Sequence, residues 1–112
     1  MTVFETFRRA LAATPYPVTQ QPITLSAPVC LCFSLVASVP TAHASGKARR
    51  IRHTVQVDIY ARAAVGPEIR VVVDALRAAG IGVTEWGPAD YERDTRWHHL
   101  PITCTYNEKT EG

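Results

Sequence analysis

The chain has 112 residues, the size of a single domain. Hydrophobic residues make up 46% and charged residues 20%, which argues against disorder, and a net charge of +2 implies no nucleic-acid or anionic-membrane partner by itself. Three cysteines cannot close a disulfide framework, so a reducing compartment is expected.

The longest apolar run, Ala27 to Pro40, is shorter than the roughly 18–20 residues a spanning helix needs, and prolines bracket it. Ala42-His43-Ala44 mimics a signal-peptidase site. However, the basic pair Arg8-Arg9 lies far upstream of the apolar run, whereas a signal peptide keeps the two adjacent. No membrane association is expected.

Residues 3–13 read as an amphipathic helix with Val3, Phe4, Phe7 and Leu11 on one face, and Thr2 with Glu5 has the capping-box spacing. Thr14-Pro15-Tyr16-Pro17 ends it. Val18 to Leu25 reads as a short edge strand broken by Pro22. Val29 to Val36 is rich in strand formers and apolar on both faces, which suits burial on both or pairing with a partner chain. Val39 to Lys47, with Pro, Ser, His and Gly, is expected to be a hairpin loop.

The next strand alternates clearly. Ile51, His53, Val55, Val57 and Ile59 point one way, and Arg52, Thr54, Gln56, Asp58 and Tyr60 the other. Gly66-Pro67-Glu68 opens a second helix with Ile69, Val72, Val73 and Leu76 as its buried stripe, and Gly80 stops it. A short strand, Ile81 to Trp86, leads into a polar loop, Gly87 to Asp94. Arg96 to Tyr106 is the last strand, with His98, Leu100, Ile102, Cys104 and Tyr106 on one face. The expected fold is α+β: two helices on one face of a mainly antiparallel four- to five-stranded sheet with a long β-hairpin. One domain is expected over residues 1–106, and residues 107–112 form a frayed tail.

Catalytic chemistry finds little support. Cys30-x-Cys32, His98-His99 and Cys104 are metal-ligand types, but structural zinc sites place two to four residues between paired cysteines. Adjacent histidines in a strand also point to opposite faces. The cysteines read instead as compact apolar groups, and the histidines as one semi-buried and one exposed. There is no Gly-x-Ser-x-Gly turn, and Ala64-Val65-Gly66-Pro67 has too few glycines to cradle a phosphate. No enzyme activity, cofactor or metal is expected.

Two charge distributions are more informative. From Ala10 to Gly46, a third of the chain, there is no Asp, Glu, Lys or Arg. Such a stretch forms either a core strand with uncharged loops or a surface covered by partner subunits. A basic cluster, Lys47, Arg49, Arg50 and Arg52, is matched by an acidic group, Glu85, Asp90, Glu92 and Asp94. Solvated loops would account for both. They are also candidates for the two unlike patches that a head-to-tail contact between subunits requires.

The helix FETFRRALA, the Pro-Tyr-Pro stretch after it, the uncharged strand APVCLCFSLVA, and HTVQVDIYAR running into GPEIRVVVDALRAAG form a familiar layout. Over nearly its whole length the chain resembles the tail-terminator, or head-proximal tail-completion, proteins of long-tailed phages. The resemblance implies a non-enzymatic virion protein, assembled in the host cytoplasm. It forms a ring, commonly of six subunits, that ends tail-tube growth and joins the tail to the head connector. The implied partners are other copies of the chain, the tail tube protein, a head-completion or connector protein, and DNA passing through the lumen. Another head–tail junction component, such as a head-closure protein, is the nearest alternative. A small ligand-binding protein, or a nucleic-acid-binding one using Lys47 to Arg52, is the next.

Overall fold

The computed structural model describes residues 2–21, 25–44 and 47–109; the side chains of 42–44 and 47–49 lie outside that description. The first helix, α1 (Val3–Ala12), begins as its capping spacing predicts, with the Glu5 N–H donating to Thr2 Oγ1 at 3.1 Å. The second, α2 (Pro67–Ala78), has Pro67 in its first turn. It ends in a Schellman motif: Gly80 sits at φ +79°, its N–H donates to Arg77 O, and the Ile81 N–H donates to Leu76 O.

Six strands form one mixed sheet: β1 (Val18–Gln20), β2 (Val29–Ala44), β3 (Lys47–Ala61), β4 (Gly82–Trp86), β5 (Asp90–Glu92) and β6 (Trp97–Lys109). The order is β1-β2-β3-β6-β4, and β5 also pairs with β6. Only β1 is parallel to its neighbour, and the other pairings are antiparallel. The α+β fold expected from the sequence is the one observed.

Alternation along β3 assigns the faces. Val55, Val57 and Ile59 join Leu31, Phe33, Leu100, Ile102 and Cys104 on the front face, packed against Phe7 and Leu11 of α1 and Val72, Val73 and Leu76 of α2. Phe33 stacks on Phe7 at 6.1 Å between ring centroids and approaches Phe4 at 6.4 Å, tying α1 to β2.

Three expectations need correction. Val39 to Ala44 and Lys47, read as loop, belong to the β2–β3 hairpin, which pairs as far as Ala44↔Lys47; Ser45 and Gly46 lie outside the described residues. Cross-strand pairing overrides the turn-forming composition. Pro40 is accommodated on an edge strand beside register shifts at Leu35/Ala37 and Pro40/Ala42. The polar loop after β4 contains β5, recruited by the free side of β6. Asn107 to Lys109, expected to fray, extend β6 opposite Arg52 to Arg50, and residues 110–112 lie outside the described residues. The edge strand expected over Val18 to Leu25 is observed as Val18–Gln20.

Beyond Leu35 and Val55 the hairpin runs past the helices as an arm. The molecule measures 52 × 24 × 22 Å, with a radius of gyration of 15.1 Å. A compact chain of this length would have a radius of about 13 Å. The arm accounts for the excess.

Candidate subunit interface and the polar face of the sheet

The sheet face away from the helices carries the polar residues of β3, and at its centre lies a buried carboxylate. Asp58 is 3% exposed. Its Oδ1 accepts hydrogen bonds from His99 Nε2 at 2.6 Å and Gln56 Nε2 at 2.8 Å, and the Cys32 thiol lies 3.8 Å from Oδ2. Tyr60 stacks flat on the His99 ring at 4.5 Å between centroids. The hydrogen bond to Asp58, helped by the charges of Asp58, Glu92 and Asp90, raises the His99 pKa above its usual value although burial works against it. Burial, reinforced by Asp58, pushes the Cys32 thiol and the Tyr60 hydroxyl each up to about 12.

The sequence reading put Asp58 on this face but missed its role. The available signal was positional: in an antiparallel pair, a carboxylate mid-strand with His99 on the adjacent strand is within side-chain reach. Both His98 and His99 are half-buried, where one exposed histidine was expected; His98 packs on Tyr91 at 4.8 Å. Cys30, Cys32 and Cys104 are buried. Cys30 makes a local turn, its thiol donating to Ala27 O at 3.1 Å. Burial also lifts the Cys104 thiol to about 12. Among the described residues, no three His, Cys, Asp or Glu side chains converge as a metal-binding group.

The predicted charged patches fall at opposite ends of the polar face. Arg50 and Arg52 are exposed near the tip of the arm, opposite Lys109 and Asn107. Lys47 and Arg49 lie in the same strand, their side chains outside the described ones. The acidic residues are brought together from two strands: Glu85 of β4 pairs with Thr103, and Asp90 and Glu92 of β5 pair with His99 and Trp97. Their β6 partners place all three on the Asp58 side of the sheet. Asp94 is in the turn before β6. Arg50 is level with Lys109 and Glu92 with Trp97, a separation of roughly 40 Å of strand. Asp90 and Glu92 therefore cannot pair with Arg50 or Arg52 within one chain, whereas Glu85 lies four residues from the level of Arg52.

Exposed apolar side chains accompany each patch. On β2 these are Leu35 (40%), Val36 (61%) and Val39 (45%); on the opposite edge they are Trp86 (46%) and Tyr91 (47%). The root of the arm is fixed by a three-strand hydrogen-bonded chain: Ser38 Oγ lies 2.7 Å from His53 Nδ1, and His53 Nε2 lies 2.7 Å from Glu108 Oε1. Its order is that of a hydrolytic relay. Ser38, however, lies in the middle of a strand, paired directly with His53, and not on the strained turn that presents a nucleophile beside backbone N–H donors. The chain fastens β2, β3 and β6 together.

Comparison with protein-family models and with curated proteins gives no match. A solved structure matches with a TM-score of 0.52 at 15% identity, covering 100% of this chain and 99% of the other. That likeness is one of fold, and it extends over the whole chain.

Proposed function

We propose that the chain is a structural subunit of the tail-terminator kind, which closes into a ring at the head-proximal end of a phage tail, ends tube growth and meets the head connector. The observation that carries this reading is the separation of unlike surfaces. A basic, uncharged-edged arm lies at one end of the sheet and an acidic edge with exposed aromatics at the other. Head-to-tail contacts need two such complementary patches and, when the rotation closes, generate a ring. The uncharged stretch from Ala10 to Gly46 fits a surface covered by neighbours. On the polar face the Cys32 thiol stays protonated, and Asp58 is enclosed by its own hydrogen-bond donors.

The test is the state of assembly. Light scattering of the isolated protein, together with images of tails carrying it, should show a ring, six subunits being the expected number. A monomer in both settings would refute the proposal.

A further inference from the structure

The acidic edge of the polar face contains an imidazole among its carboxylates. His99 stands in a row across three strands: Tyr60 of β3 pairs with His99 of β6, and His99 pairs with Asp90 of β5. Directly paired residues share a face, with Cβ atoms about 4.5–5.5 Å apart. Glu92, two residues along β5, lies on that face too. The imidazole is thus held between a buried carboxylate and two outer ones, Asp90 being exposed and Glu92 half-buried. Its Nε2 lies 2.6 Å from Asp58 Oδ1, and 21% of its side-chain surface stays in solvent. The Tyr60 ring, stacked at 4.5 Å with an interplanar angle of 9°, keeps it from turning away.

The groups around His99 divide by what they can titrate. From β3 come Asp58, Tyr60 and the uncharged Gln56; from β2, Cys32 through Asp58; from β5, Asp90 and Glu92. Glu85 of β4 shares the face but sits four residues farther along β6, opposite Thr103. The Cys32 thiol and the Tyr60 hydroxyl stand at about 12 and keep their protons near neutrality. The change of charge in the row falls to the imidazole.

We infer that His99 is a proton switch on the acidic edge: protonated, it cancels part of the charge that Asp90 and Glu92 present to the basic arm of a second copy, and deprotonated, it releases that charge for the contact. This inference rests on the ring reading above. Arg50 and Arg52 of the same chain lie too far along the strand to take that charge.

The sign follows from the charges. A protonated His99 adds positive charge to a surface that receives arginines, so it opposes the contact. The hydrogen bond to Asp58, against burial and together with the charges of Asp58, Glu92 and Asp90, raises the His99 pKa. Association therefore strengthens as pH rises through the raised value, whereas the fold stability given by the same proton falls. With the second copy's arginines about 10 Å away, one unit charge changes affinity about twofold to tenfold at low salt. By linkage, forming the contact near that pH expels a proton.

The test is association from about pH 6 to about pH 9 at low salt, read by sedimentation and by occupancy of tails that lack the protein. The native chain should bind several-fold more tightly at the alkaline end, and about 0.5 M salt should shrink the difference. His99→Gln keeps an N–H for Asp58 and carries no charge. It should bind equally at every pH, near the native alkaline value. His98→Gln, altered on the other face, should keep the native response. Calorimetry in two buffers of unlike ionisation enthalpy should find proton release when the native chain associates and none for His99→Gln, a readout that a merely structural histidine would not move. Rings whose affinity is flat in pH, or a response that survives in His99→Gln, overturn the inference and leave the ring reading standing. A protein that is monomeric both in solution and on tails overturns the two together.

Discussion

Replacing His99 by Gln removes a titrating group from the polar face while leaving an N–H that can reach Asp58. In the native protein the His99–Asp58 hydrogen bond is 2.6 Å long, and Asp58 is almost wholly buried. Because the folded His99 pKa is raised above its usual 6.5, the bond's contribution is complete below about pH 6.5 and is lost as pH rises through the raised value. The change is from a charge-assisted hydrogen bond, worth about 1.5–3 kcal/mol, to a neutral one of about 0.5–1.5 kcal/mol. Solvent at the half-exposed ring reduces the difference, leaving about 1 kcal/mol. Urea unfolding of both proteins from about pH 6 to pH 9 reads it directly. The native protein should lose its advantage over His99→Gln as pH rises. An advantage that is constant across this range, or that grows with pH, would refute the account of the Asp58 cluster.

The charge arrangement predicts that Arg50→Glu with Arg52→Glu impairs ring or tail assembly, and that Glu85→Arg with Asp90→Arg on the same chain restores part of it; unimpaired assembly of the first double variant counts against the pairing. Thiols held near pKa 12 by burial, Cys32 and Cys104, should resist a thiol-specific reagent at pH 8 until denaturant is added, and rapid labelling of the folded protein would contradict that. Phe33→Ala should cost about 3–5 kcal/mol by removing a buried ring between α1 and β2, and a change under 1 kcal/mol in a denaturant titration would mean the core is not joined there.

Much of the fold was legible because local signals agreed with the tertiary outcome. Thr2 with Glu5, Pro67 and Gly80 marked the helix ends, and the period-two alternation of Ile51 to Tyr60 separated core face from polar face. A long β-hairpin was legible, but its full extent as a paired arm was not. Pro40 and His43 have turn-forming chemistry, and the pairing that overrides them comes from β3, whose reach past Arg50 no local pattern announces. β5 was missed for a related reason: Asp90 and Glu92 are poor strand formers on either side of Tyr91, and the segment is extended because β6 offers a free side. The charged residues could be grouped by sign from the sequence, but where they fall along the polar face depends on register. Asp58 was hidden by an assumption that a polar residue on a polar face is solvated. Large neighbours, Tyr60 and His99, enclose it.

The hydrogen-bonded chain from Ser38 through His53 to Glu108 has a consequence for the kinetics of encounter. A free two-stranded hairpin is marginally stable in water and would have to be ordered as it docked. Here the third strand holds the arm extended in the isolated subunit, so the conformational entropy is already lost on folding and docking sacrifices less. A preset arm also arrives with its charged strand at a fixed distance from the body, acting as a lever and not as a tether. In the proposed ring, such a subunit would change little between free and assembled forms, and its addition would be governed by collision and orientation, with complementary charge setting the approach.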